Sequence, residues 1–187
     1  MILNTILVAS LLLPFSLPKL NYTWASKVLE QPISYTQYRR EHYPPYKATL
    51  RDVEKEVIRV LAHRGINEPN AIAAVLGNIQ QESNFNPEAL NASEGSYGLM
   101  QWRLGRRNRL NAYCRNLTDI RCQLFFMISE QDWIEIEPML KTPLQTIEYY
   151  NYAMKRYLRW GISGRRVEYA YKYLDILNDS TLFSSTK

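Results

Sequence analysis

The chain has 187 residues, of which 46% are hydrophobic and 22% charged, with a formal net charge of +5 at pH 7. That length suits one globular domain with a short appended segment, and the apolar share excludes wholesale disorder. Two cysteines, two histidines (His42 and His63) and no CxxC or HxxxH spacing argue against a disulfide-framework miniprotein or a structural zinc site, and the lack of GxxxxGK[ST] or GxGxxG gives no sign of a nucleotide enzyme.

Residues 1–25 open with an uncharged run from Met1 to Leu17, interrupted by Pro14 and followed by Pro18. The run is shorter than the ~20 residues of a membrane span and has the apolar core of a secretory signal, with Thr23-Trp24-Ala25 as a small-residue cleavage site. The basic start of such signals is missing, since the first lysine is Lys19. The alternative is an uncleaved anchor, associating residues 1–20 with a membrane or a virion. Residues 26–50 hold Pro32, Pro44, Pro45 and Tyr35, Tyr38, Tyr43, Tyr46 without a sustained period, and read as an extended arm or linker.

Residues 51–178 read as a mainly α domain, and residues 179–187 as a polar tail. Asp52 to Arg64 places Val53, Val57, Ile58, Val60 and Leu61 on one helical stripe, stopped by Gly65. Asn67 is the expected N-cap of the next helix, with Pro69 in its first turn and Ile72, Val75, Leu76 and Ile79 on one face. Asn84-Phe85-Asn86-Pro87 ends that helix, and the loop Asn91–Ser96 follows, where Glu94-Gly95 is expected to turn a short hairpin. Further helical patterns span Arg106–Tyr113, Ile120–Glu135, Pro143–Trp160 and Arg165–Leu177. Strand signals are scarce and no internal repeat occurs.

Glu82 lies three residues after Ile79 and seven after Val75, so it continues the buried stripe. It also falls in the last turn of its helix, where the macrodipole disfavours a carboxylate. Both effects favour the protonated form, and a carboxylic acid kept protonated near neutrality can donate to a glycosidic oxygen. The plain alternative is a structural glutamate bonded to nearby backbone amides.

The run Gln81-Glu82-Ser83-Asn84-Phe85-Asn86-Pro87, followed by Ser96-Tyr97-Gly98-Leu99-Met100-Gln101-Trp102, resembles the ESxFNP…GLxQ signature of the lysozyme superfamily. It is similar to goose-type lysozymes and soluble lytic transglycosylases, and most similar to the phage tail lysozyme family. Gly77-Asn78-Ile79, Arg106-Arg107, Gln123 to Glu130 and Arg166 to Ala170 also fit that family, so the resemblance covers roughly residues 53–177. It implies a lysozyme-like helical domain with a short hairpin lining a saccharide cleft. By position, Glu82 matches the general acid and Ser83 its neighbour at the helix end, while Tyr97, Gly98, Gln101 and Trp102 match the cleft loop. Gly98 is expected to allow a positive φ or close backbone approach where a saccharide packs. Tyr97 and Trp102 offer faces for sugar rings, with a core aromatic as the alternative for Trp102.

The resemblance further implies cleavage of the β-1,4 bond between N-acetylmuramic acid and N-acetylglucosamine in bacterial peptidoglycan, outside the cytoplasm, without a metal or cofactor. A hydrolase needs a second carboxylate, and among Glu88 and Glu94 the better placed is Glu94, beside the turn. With Glu82 alone, the muramyl hydroxyl closes on the anomeric carbon, as in a lytic transglycosylase. A virion-associated lysin with other virion proteins as partners, a secreted endolysin, and a catalytically silent wall-binding or structural virion module are the alternatives. Arg103, Arg106, Arg107 and Arg109 read either as a solvated helix face or as a patch steering toward the anionic wall. Nucleic acid is not an expected partner, since no fold signature for it occurs. Finally, Cys114 and Cys122 flank a segment whose Asn116, Thr118 and Asp119 suggest a turn and an N-cap. Such a reversal brings two Cα atoms within the ~4.4–6.8 Å a disulfide requires, and export would supply the oxidising compartment. The alternative is two free thiols packed as small apolar side chains.

Overall fold

A computed structural model describes residues 50–179. The expectations for residues 1–25, for the arm up to residue 49 and for the tail beyond Asp179 lie outside them. The described residues are mainly helical, as expected: α1 (Asp52–His63), α2 (Pro69–Ser83), α3 (Leu104–Tyr113), α4 (Ile120–Ser129), α5 (Gln131–Lys141), α6 (Ile147–Leu158) and α7 (Arg166–Asn178). Between α2 and α3, β1 (Leu90–Asn91) and β2 (Ser96–Tyr97) pair antiparallel, with Leu90 opposite Tyr97 and Asn91 opposite Ser96.

Helix α2 is the axis of the domain. Its residues from Ala71 to Ile79 are buried on every side, as befits a helix enclosed by others. It packs chiefly on α7 and then on α6. Gly77 makes the α7 contact possible, because a Cβ there would lie 2.6 Å from both Ala170 N and Arg166 O. Two helix backbones therefore meet where any side chain would hold them apart. Across α2, Asn78 Nδ2 donates to Asn151 Oδ1 of α6 at 2.9 Å.

Several boundaries differ from the sequence expectation: α3 starts at Leu104, not Arg106, and α6 spans Ile147–Leu158 within the expected Pro143–Trp160, while two further differences have a clear local cause. Glu68 is the N-cap of α2 in place of Asn67; its backbone is extended, it makes no side-chain cap bond, and Pro69 supplies the preset φ of the first helical position. The pattern over Ile120–Glu135 divides at Glu130, whose extended backbone (φ −69°, ψ 140°) caps α4 and opens α5. Helix α5 then runs through Pro138, which lies with Ile134 on the exposed face of the helix, so the ladder bond it lacks falls on the solvent side.

The segment between α3 and α4 is short and tightly bonded. Asn116 Oδ1 accepts from Thr118 N at 3.1 Å, and Asp119 caps α4 by accepting from Arg121 N at 2.9 Å and Cys122 N at 3.3 Å. A disulfide joins Cys114 to Cys122 across this turn, with the two Cα atoms 5.8 Å apart.

Candidate active site at the end of helix α2

Helix α2 ends in a sharp reversal. Asn84 (φ 50°) and Phe85 (φ 61°) are successive left-handed residues, an unfavourable conformation for a bulky side chain. Phe85 is held there by burial: its ring packs edge-on against Tyr173 with centroids 5.8 Å apart, under the Arg51 guanidinium at 4.9 Å. The reversal leaves Glu82 in the last full turn of α2 with its side chain 16% exposed. It is neither free in solvent nor sealed in the core.

Among the described residues, the one hydrogen-bond partner of this carboxyl is Arg166, whose Nη2 donates to Glu82 Oε1. Arg166 is the first residue of α7 and is 7% exposed at its side chain. Its Nη1 donates to Ile162 O at 3.0 Å and Ser163 O at 2.8 Å, and its guanidinium carbon lies 4.3 Å from the centre of the Trp160 ring. Next to it, Gln81 Oε1 accepts from Arg165 N at 2.8 Å, satisfying an otherwise unbonded donor at the start of α7. The sequence expectation considered burial and the helix end alone; the structure adds a cation held by α7.

A chain of turns carries the backbone from Glu82 to the hairpin. Asn86 N donates to Ser83 O, Ala89 N to Asn86 O, and Gly98 N to Ala89 O. Tyr97 and Trp102 exchange both backbone bonds at 2.9 Å, closing a tight loop over Gly98 to Gln101. Gln101, at φ 50°, fastens it through its side chain: Oε1 accepts from Ser96 Oγ at 2.8 Å, and Nε2 donates to Ala89 O and Gly98 O at 3.0 Å each. Tyr97 is half-buried, with the Arg107 guanidinium 5.5 Å above its ring, and Arg107 Nη1 also donates to Gly95 O at 2.9 Å. Ser83 is buried and donates to Ile79 O at 3.2 Å, so its hydroxyl serves its own helix.

The structure bears on three further expectations. Trp102 is fully buried, edge-on to Phe126, with Nε1 donating to Glu130 Oε2 at 2.8 Å; it offers no face to a sugar ring. Gly98 does have a positive φ of 81°, but the groups that crowd it are protein. A Cβ there would lie 2.7 Å from Gln123 Oε1 and 3.2 Å from Trp102. The arginine cluster, finally, is not a single face. Arg106 is committed to Glu130 and Arg107 to the hairpin, while Arg103 and Arg109 remain mostly exposed.

Glu94 stands at the hairpin turn, 57% exposed at its side chain, with Arg103 Nη1 3.8 Å away. The sequence expectation missed Gln123, a fully buried amide that accepts from Leu99 N at 2.8 Å and donates to Pro87 O at 2.7 Å and Leu117 O at 2.5 Å. It also missed Arg166 and Trp160, whose place beside Glu82 depends on the fold. Among the described residues, no three His, Cys, Asp or Glu side chains gather as a metal site requires. Cavity size alone points elsewhere. Spaces of about 600 and 730 Å³ open beside α5 and beside α3, and Glu82 lines neither.

A family model described as phage tail lysozyme matches residues 52–174. No curated protein and no solved structure matches the chain significantly.

Proposed function

Because the chain belongs to the phage tail lysozyme family, its general role is peptidoglycan lysis by a lysozyme-like domain, and we propose that it cleaves the MurNAc–GlcNAc β-1,4 bond with Glu82 as general acid. The observation that supports this reading is the state of the Glu82 carboxyl. It is partly desolvated at a helix end, 16% exposed at its side chain and, among the described residues, bonded through Oε1 to Arg166 alone. A general acid needs such an oxygen, able to meet a leaving group within hydrogen-bond reach. Tyr97, Gly98, Gln101 and Ser83 support the cleft in this reading, with Gln101 and Gly98 acting through the shape of the loop.

For hydrolysis, Glu94 is the second carboxylate we assign, as base or nucleophile across the scissile bond. The intramolecular route of a lytic transglycosylase is the second reading. It is favoured by the exposure of Glu94 and its orientation toward Arg103. We place the enzyme outside the cytoplasm, as a virion-associated lysin with peptidoglycan as its partner. A secreted endolysin would use the same chemistry.

Mass spectrometry of digested peptidoglycan tests the proposal. Reducing ends are expected from hydrolysis, and anhydro-muramyl ends from transglycosylation. A folded protein that binds the wall and releases no fragments would instead be a silent wall-binding module.

A further inference from the structure

We propose that Arg166 is a positioning residue for Glu82: clamped by two backbone carbonyls and an indole face, it fixes Oε1 and leaves Oε2 to meet the glycosidic oxygen. The inference rests on the assignment of Glu82 as the acid and goes beyond it in explaining how the carboxyl is aimed.

The clamp is built from the loop before α7. Ile162 O and Ser163 O take both Nη1 protons, so that edge of the guanidinium is fixed to backbone. Trp160 covers a face at 4.3 Å, an arrangement that adds cation–π attraction and prevents the plane from turning. Only the Nη2 edge then reaches Glu82. A guanidinium suits this task because its donors lie in one rigid plane, whereas an ammonium on a flexible stem fixes no direction.

Two further contacts set the distance between the partners. The missing Cβ of Gly77 lets the α7 backbone approach α2, and the Gln81 bond to Arg165 N registers the start of one helix against the end of the other. Gly164, at φ 57°, packs against the same Gln81 amide, where a Cβ would lie 2.8 Å from Cδ. Glu82 and Arg166 therefore meet through a rigid joint instead of through two flexible side chains.

As a device for stability the pair is poor. Among the described residues, Arg166 Nε is buried without a hydrogen-bond partner, and the carboxyl accepts from one donor only. Buried ion pairs offset their desolvation only when the remaining donors and lone pairs are satisfied. Incomplete satisfaction beside a partly exposed oxygen fits a group kept for chemistry.

The test uses the full chain and a soluble peptidoglycan oligosaccharide, with folding checked by circular dichroism. Arg166→Met is expected to lower kcat by about 10²-fold, the scale of a misaimed catalytic group, with KM within about twofold of the starting value. Arg166→Lys should recover part of that loss. Trp160→Leu, which removes the face of the clamp and leaves the cation, should lower kcat by roughly 3–10-fold without raising KM. If Arg166→Met does not fold, the Lys and Trp160 variants decide. Full kcat in folded Arg166 variants overturns the inference, and so does a raised KM with unchanged kcat in Trp160→Leu, which would make the indole a sugar platform. Glu82→Gln separates the two layers. If it retains activity, the acid assignment fails; if it is inactive while the Arg166 variants are fully active, positioning alone fails.

Discussion

Glu82 and Glu130 are among the carboxylates of this domain paired with an arginine that stacks on an aromatic ring. Arg166 lies over Trp160 at 4.3 Å, and Arg106 lies over Tyr157 at 4.6 Å. The pairs part company at the remaining lone pairs. Glu130 is 3% exposed at its side chain and accepts from Trp102 Nε1 at 2.8 Å, Tyr157 Oη at 2.6 Å, and Arg106 through both Nε at 2.8 Å and Nη2 at 2.6 Å. Among the described residues, Glu82 accepts from a single donor. A carboxylate has about four acceptor sites, so one is saturated and the other has capacity to spare. Saturation turns a charged group into a structural joint; spare capacity leaves it able to react.

The largest expected effect tests the saturated side. Glu130→Gln leaves the Arg106 charge in the interior without its counterion, and should cost about 3–5 kcal/mol in urea unfolding. The acid sensitivity of the domain should change as well. Burial pushes the Glu130 carboxyl up, but the bonds from Arg106, Tyr157 and Trp102 outweigh it and hold the group below its ordinary 4.5. Its contribution is therefore complete above that ordinary value and is lost as pH falls through the lower folded one. The urea midpoint should drop on acidification, and drop less in Glu130→Gln.

Glu82→Gln should invert this pattern. Wall lysis is expected to fall by at least ~10²-fold, while stability falls less than in Glu130→Gln, because water reaches this side chain and the amide oxygen still accepts from Arg166. Lysis near the starting rate in a folded variant would sink the contrast between the two carboxylates. A smaller effect is expected at the turn between α3 and α4. Replacing Cys114 and Cys122 by alanine should cost about 2–3 kcal/mol in the chain-entropy account of loop closure, with lysis at low temperature unchanged. Two alkylatable thiols in unreduced, freshly purified protein would remove the bridge from the description. The smallest stability effect belongs to Glu94→Gln, within ~0.5 kcal/mol, since its contact with Arg103 is an exposed ion pair. Its activity is the informative readout: loss on the ~10²-fold scale gives Glu94 the second catalytic role, and full activity leaves Glu82 acting alone.

How much of this was legible in the sequence depended on whether the cause was local. The apolar stripe ending at Glu82, the αL-prone Asn84 after it and the Gly95 turn (φ 66°) all act within a few residues, and the elements stand there. The break at Glu130 was not legible, because the run from Ile120 onward continues the helical pattern. Glu130 leaves the helix to meet Arg106, Trp102 and Tyr157, which come from three other segments. Trp102 could be read as a sugar platform until Glu130 and Phe126 enclosed it. Arg166 was singled out only as part of a run fitting the family, and its burial beside Glu82 accompanies the close approach of α7 to α2 at Gly77. An arginine near a helix start, facing a helix that carries a mid-length glycine, was the one available hint.

Gln123 has a consequence for the motions of the domain. One amide group holds Leu99, Pro87 and Leu117, so the segment after α2, the hairpin loop and the turn before α4 are tied at a single point. Sharing one buried anchor, the three are expected to open as one cooperative unit in the sense of native-state opening. The Leu99 amide proton reports on that unit directly. Its solvent-exchange rate should follow the opening of the whole hairpin loop, and Gln123→Leu should quicken it together with the exchange of neighbouring loop amides.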